Sequence, residues 1–268
     1  MKLFLDSDNK LITSDKFISE LSSFIDYGDI VYIEMDLMSF GKLYDLNTSK
    51  EDFLNCFYEI FRKLVGYEGH ICVPSFSYSW GMDKSEMIFD LNKTKGKVGI
   101  FPEFFRHKEG TYRTLDPMFS VLINGPKAKE LSLISNSSFG KKSFFEMLHK
   151  KNAKLMSFGL NKYDPTFVHY IEEFFDNNIE RLNYRKLKKF TGFFIENHKK
   201  IKKEHFVFAR DLNSNLTFDH QKLLADLKIG GKLDSTSIGS GIIQISDCDS
   251  VFDTSISGMK KNLHYLVS

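Results

Sequence analysis

Residues 28–37, GDIVYIEMDL, decide the fold. Gly28 and Asp29 punctuate the chain, an apolar run of strand length follows, and polar residues arrive only at the C-terminal end. A strand buried on both faces reads this way, whereas a half-exposed strand would alternate. Upstream, SDKFISELSSFID (14–26) begins with a serine cap and carries apolar residues at helical spacing. Downstream, NTSKEDFLNCFYEIFRKLVG (47–66) is an amphipathic helix with a cap and a terminal glycine. EGHICVPSFSYSW (68–80) is a second buried strand, ended by proline. This β, α, β alternation predicts an α/β fold with a mostly parallel central sheet. Ligands of such sheets collect beyond the C-terminal strand ends, which marks residues 34–41 and 74–80 as the loops to examine.

The remaining segments extend the same plan. VGIFPEFFRHKEG (98–110) predicts a short helix, and TYRTLDPMFSVLINGPKAKEL (111–131) a loop entering a strand. KKSFFEMLHKKNA (141–153) reads as a helix and KLMSFGL (154–160) as a strand. The loop NKYDP then feeds a helix, TFVHYIEEFFDNN (166–178). From residue 181 the pattern changes to short strand-like pieces with basic residues, one helix at 218–231, and the glycine-marked turn in STSIGSGIIQISD (235–247). We read 1–268 as a single domain with 181–268 as a subdomain folded back on the first part.

Composition excludes several classes of function. With 268 residues, 42% apolar and 27% charged, the chain can bury a sizeable core. A net charge of +2 with dispersed lysines, apart from a cluster at 186–203, does not predict a nucleic-acid partner. Three cysteines, Cys56, Cys72 and Cys248, form no CxxC pair and read as free thiols of a reducing compartment. The start turns polar after five residues and no stretch approaches the ~20 apolar residues of a membrane span. The expectation is a cytoplasmic protein with no membrane partner; apolar surface on the phenylalanine-rich helices is compatible with a homodimer.

Chemistry is concentrated in DPTFVHYIEEF (164–174). Thr166 is placed to cap the helix, His169 falls in its first turn, and Glu172 and Glu173 follow at i+3 and i+4. A carboxylate there fixes the imidazole tautomer and stabilises the imidazolium formed when the ring takes a proton. On spacing alone, a structural His–Glu pair is the more frequent outcome. No second histidine stands at a ligand spacing, so no metal is predicted. There is no GxSxG elbow, Walker loop or GxGxxG turn. VPSFSYSW offers Ser75 and Ser77 beyond a strand end, flanked by Phe76, Tyr78 and Trp80: an ordinary strand exit, or a hydroxyl and N–H surface with aromatic walls.

Taken in order, DLMSFGKL (36–43), VPSFSYSW (73–80), GIFPEFFRHKEGTYRTLDPMFSV (99–121), SSFGKKSFFEML (137–148), KLMSFGL, DPTFVHYIEEF, NYRKLKKFTG (183–192) and STSIGSGI (235–242) resemble the antibiotic acetyltransferase family, best known for the aminoglycoside 3-N-acetyltransferases. The resemblance spans most of the chain; its most specific part is R-x-x-x-P-x-x-S, from Arg113 to Ser120, followed by T-F-x-H-Y-x-E, from Thr166 to Glu172. It implies a three-layer α/β/α fold, unlike that of the GCN5-related acetyltransferases, and an N-acyltransferase using acetyl-CoA or another acyl-CoA. It places the CoA channel at Asp36, Met38, Ser39, Phe40 and Gly41 and at Pro74, Ser75, Phe76 and Ser77. It makes His169 the base that deprotonates the amine, with Glu172 as acidic partner, and puts an oxyanion donor near Ser75–Ser77, without an acyl-enzyme.

Two departures from the family pattern stand out. Glu34 occupies a position often held by histidine, and VFARDLN (207–213) carries Arg210 where an acidic pair is usual. The resemblance leaves two acceptors, an amino sugar or an aminoglycoside, and a third reading as a non-catalytic relative. A polycationic drug calls for carboxylates. The acceptor loops instead contribute Arg113, Arg185 and Arg210, with Asp116 and Tyr184 and the walls Tyr78 and Trp80. These predict an anionic acceptor, an amino sugar on a nucleotide diphosphate, as in surface-polysaccharide biosynthesis.

Overall fold

The structure is a computed structural model that describes residues 1–81, 87–196, 198–211 and 215–268. Two short strands, β1 (Lys2–Leu5) and β2 (Leu11–Thr13), lead into α1 (Ser14–Leu21). The decisive apolar run is β3 (Ile30–Met35), followed by β4 (Lys42–Leu43). Helix α2 (Lys50–Val65) starts where Ser49 Oγ accepts the Asp52 N–H at 3.0 Å. The second buried run is β5 (His70–Pro74); β6 (Ile88–Asp90), α3 (Phe101–Phe105), β7 (Thr111–Arg113) and β8 (Val121–Asn124) follow. Then come α4 (Ala128–Leu131), α5 (Phe144–Lys150), β9 (Lys154–Phe158) and α6 (Val168–Asn178). The last third holds β10 (Arg185–Glu196), β11 (Lys199–Arg210), α7 (Gln221–Ile229), β12 (Asp234–Ile238), β13 (Gly241–Asp247) and α8 (Cys248–Lys261).

Among the described residues the central sheet has seven strands in the order β12-β13-β9-β3-β5-β8-β7. Alternate side chains of β3 face opposite layers, as strand geometry requires. Val31 and Ile33 pack with Phe17 of α1, Phe57 and Phe61 of α2 and Phe101 of α3. Tyr32 packs with Phe145 of α5, Ile171 of α6 and Val251 of α8. The α/β/α layering therefore rests on both faces of β3 being apolar. One refinement concerns strand direction: β3 pairs in parallel with β5 and β9, while β13, β8 and β7 add antiparallel edges.

Three elements differ from the sequence expectation. TYRT, read as loop, forms β7, which is hairpin-paired to β8. The basic region is not a set of short pieces: β10 and β11 pair continuously from Arg185↔Arg210 to Glu196↔Lys199. Lysines fall on both faces of this ribbon, with adjacent pairs at 188–189, 199–200 and 202–203, and hide the strand period. An unexpected helix, α8, starts at Asp247, whose carboxylate accepts the Ser250 N–H at 2.8 Å. Beyond residue 181, β13 pairs with β9 and α8 packs against α6. No described helix is long and apolar enough to cross a membrane.

Candidate active site

His169 lies in the first turn of α6, and its Nδ1 is 2.9 Å from Oε2 of Glu172, one turn on. Phe139 meets the ring edge-on at 5.3 Å between centroids, and Phe218 lies tilted across it at 4.7 Å. The side chain keeps 14% exposure and Glu172 none. The cap differs from expectation: Phe167 occupies the N-cap position without a side-chain bond. Thr166 gives its hydroxyl and its N–H to Oε1 of Glu34 instead. A carboxylate at the end of β3 is the stronger acceptor.

Arg185 completes the cluster. Its Nε is 2.7 Å from Glu172 Oε2, its Nη1 donates to the Phe208 carbonyl at 2.6 Å, and its Nη2 approaches His169 Nδ1 at 2.7 Å. Nδ1 cannot both donate to Glu172 and accept from Arg185. The carboxylate charge favours the Nδ1–H tautomer, which leaves the lone pair on Nε2. Burial, then the Arg185 charge, lowers the His169 pKa to about 4, against the opposing pull of Glu172. Burial alone would raise Glu172, but the Arg185 charge and the His169 hydrogen bond hold it below its ordinary value. The ring is thus neutral at physiological pH and ready to accept a proton.

Two cavities lie near this cluster; His169, Glu172 and Arg185 line neither, and Phe218, which packs on the His169 ring, walls the second. One of about 530 Å³ is walled by Glu34, Met35, Pro74, Phe76, Val98 and Gly99 and by the loop 160–164. The second, about 480 Å³, runs beneath α7 past Phe218, Asp219, His220 and Lys228, and shares Asn161, Lys162 and Asp164 with the first. His220 Nδ1 lies 2.5 Å from Asp164 Oδ1, and Phe218 stands between its ring and His169. Gly159, at φ +79°, makes this corner fit: a Cβ there would meet Ser39 Oγ at 2.2 Å and the Asp36 carbonyl at 2.4 Å. The apolar walls Pro74, Phe76, Val98 and Leu160 suit a pantetheine arm, and Lys162 at the junction suits its phosphates. Among the described residues no cluster of three His, Cys, Asp or Glu side chains could hold a metal.

Of the expected CoA-channel residues, Pro74 and Phe76 line the first cavity. Asp36 is exposed and accepts the Met38 N–H at 3.0 Å, and Ser39 Oγ donates to the Asp36 carbonyl at 2.9 Å. Phe40 is a core residue against Phe17 and Phe158. Gly41 is packed so close to the Leu5 carbonyl that a Cβ would lie 2.3 Å from it. Ser75 is fully buried, and Ser77 Oγ donates to the Pro117 carbonyl at 2.9 Å. Neither hydroxyl is presented to a ligand.

The expected acceptor residues are largely engaged in internal contacts. Arg113 is buried and donates to Ser120 Oγ at 3.0 Å, the Ser75 carbonyl at 2.8 Å and the Thr94 carbonyl. Asp116 accepts the Met118 and Phe119 N–H groups at 2.8 Å each and faces His205. Trp80 is fully buried against Phe194. Tyr184 is buried beside Glu172, and Arg210 donates to the Leu216 carbonyl at 3.1 Å. Tyr78 packs on Phe76 and Phe119 in a left-handed turn, φ +51°. These arginines make internal hydrogen bonds that hold loops and strands together. Sequence reading marked the loop that begins at Glu34 but did not single out Lys162, Phe218 or His220 as lining groups.

A neutral imidazole aimed by a buried carboxylate, beside cavities at the C-terminal ends of β3 and β5, is the site of a group-transfer enzyme on an α/β/α scaffold. A profile of the aminoglycoside 3-N-acetyltransferase family matches residues 38–260, and the chain belongs to that family. It is accordingly an acetyl-CoA-dependent N-acetyltransferase. Among curated proteins none matches the sequence. Solved structures share the fold. AAC-IIIb with CoASH superposes with a TM-score of 0.77 at 17% identity, covering 93% of this chain and 97% of that one. AAC-VIa bound to sisomicin gives 0.74 at 18%, covering 93% and 98%. The YokD protein from Bacillus subtilis gives 0.72 at 17%, covering 94% and 100%.

Proposed function

We propose that the protein transfers the acetyl group of acetyl-CoA to the amine of an amino sugar carried on a nucleotide diphosphate, with His169 as general base. The observation that carries the reaction is the Glu172–His169 pair, 2.9 Å apart, which with Nδ1 as the donor leaves the Nε2 lone pair, 3.4 Å from Arg185 Nη2, to take a proton. The amine nitrogen bonds to the thioester carbon, its proton passes to Nε2, and the C–S bond breaks to release CoA thiolate. Glu172 holds the ring orientation and offsets the imidazolium charge as it forms. Because Nε2 returns the proton to solvent or to the thiolate, no acyl-enzyme is needed.

The anionic acceptor finds no support in Arg113, Arg185 or Arg210, which are engaged internally. It is supported by Lys162 and Lys228 in the wall of the cavity beneath α7. Asp164 and Asp219 balance them there, so the wall lacks the carboxylate excess that a polycation requires. The second reading, acetylation of an aminoglycoside, follows from the family profile. Thiol release from acetyl-CoA with UDP-glucosamine or sisomicin as acceptor separates the two. Release with UDP-glucosamine alone is expected; release with sisomicin alone overturns the proposed acceptor. Expression in a sensitive host without a rise in aminoglycoside tolerance agrees with the first reading.

A further inference from the structure

Acyl transfer needs a proton donor on the carbonyl oxygen as negative charge develops there. In the loop after β5, expected to supply it, four of the five backbone N–H groups from Ser75 to Ser79 are engaged. The N–H groups of Ser75, Ser77, Tyr78 and Ser79 donate to the carbonyls of Ser120, Met118, Met118 and Pro117. Ser77 Oγ donates to the Pro117 carbonyl, and Ser75 Oγ is sealed from the cavity.

Glu34, at the C-terminal end of β3, forms part of the same cavity wall as Pro74 and Phe76. Its Oε1 is the acceptor of three hydrogen bonds: from the Thr166 hydroxyl, from the Thr166 N–H at 3.3 Å and from the Tyr32 hydroxyl at 3.2 Å. Its Oε2 has no hydrogen-bond partner among the described residues. Three donors on one oxygen make it the carbonyl-type oxygen and put the proton, when the group carries one, on the other. The result is a fixed O–H donor on the cavity wall. We propose that Glu34, as the neutral acid, donates its Oε2–H to the thioester carbonyl and serves as the oxyanion-stabilising group of the reaction. The proposal rests on the reading that the thioester occupies this cavity.

The surroundings keep the acid protonated. Burial raises the Glu34 pKa to about 7 against the hydrogen bonds from Thr166 and Tyr32, with the Asp164 carboxylate adding to the rise. The other titratable groups facing it are Tyr32 on its own strand, Tyr78 after β5, and Tyr163 on the loop before α6. Lys162, also in the cavity wall, is the cation on that side. The donor is present below neutrality and is lost as pH rises through about 7.

The test uses the full chain and acetyl-CoA labelled with 13C at the thioester carbonyl. In the wild type the bound carbonyl resonance is expected to move downfield at pH 6 and to return toward its free position above pH 8. Glu34→Gln keeps an acceptor for Thr166 and Tyr32 and offers an amide N–H in place of the O–H, so its downfield shift persists at both pH values. Glu34→Ala shows no shift at either and lowers kcat about 100-fold, whereas Glu34→Gln stays within about tenfold of wild type. An equal carbonyl shift in wild type and Glu34→Ala, a Glu34→Gln protein as inactive as Glu34→Ala, or no binding of acetyl-CoA overturns the assignment. A shifted carbonyl in a protein that acetylates no amine would sink the proposed reaction and leave Glu34 in this role.

Discussion

Replacing Arg185 by methionine removes the cation that, after burial, does most to lower the His169 pKa. In the wild type the guanidinium Nη2 is 2.7 Å from the imidazole, and only 3% of the Arg185 side chain is exposed. At a charge separation of ~4 Å and an effective permittivity of about 20, the repulsion is about 4 kcal/mol. That corresponds to about 3 pH units at ~1.4 kcal/mol per unit. Relaxation of Glu172 toward the imidazolium acts in the same direction, while water entering the vacated space reduces the change. The His169 pKa, about 4 in the wild type, is therefore expected to rise by about 1–3 units in Arg185→Met. The assay is 15N NMR of histidine-labelled protein titrated from pH 3.5 to 8, which needs neither substrate. Loss of the buried pair should also cost about 3–5 kcal/mol of stability. A His169 midpoint unchanged in the variant would refute the assignment of Arg185 as the group that sets the proton affinity of the base.

Two further outcomes follow from buried groups. Burial and the nearby Asp176 raise the Glu173 pKa to about 7, so its share of stability is present below the unfolded value near 4.5 and is lost as pH rises through 7. Glu173→Gln should raise Tm at pH 8 by about 5–10 °C and leave it unchanged at pH 4.5; equal gains at both pH values would rule out titration as the cause. Arg113→Met, which strips the donors from Ser120 and the Ser75 and Thr94 carbonyls, should cost about 2–4 kcal/mol in denaturant unfolding while the acceptor KM stays at the wild-type value. A rise in acceptor KM without loss of stability would return Arg113 to the acceptor site.

The layers were legible because β3 and β5 are apolar on both faces and α2 carries its cap and terminal glycine in the sequence. The His169–Glu172 contact was legible because i+3 spacing survives any helix with those two residues on it. Arg185 was read as a ligand for the acceptor, and its contacts with Glu172 and His169 were not legible. A sequence lists a cation but does not show that its partners are Glu172 and the Phe208 carbonyl, both set by the pairing of β10 with β11. The partners of Arg113 are equally remote in sequence, since its bond to the Ser75 carbonyl depends on the pairing of β5 with β8, whereas Asp116 accepts the Met118 and Phe119 N–H groups within its own loop. Glu34 and Thr166 are 132 positions apart, and nothing local ties the cap hydroxyl to that carboxylate.

The turnover of His169→Gln bears most directly on the chemistry. The substitution leaves Glu172 and Arg185 in contact, so the fold and the affinity for acetyl-CoA should hold. With the base gone, acceptor-dependent thiol release should fall by about 10²–10⁴-fold. Release within a few-fold of wild type, by a folded protein that still binds acetyl-CoA, would show that the proton leaves the amine by another route.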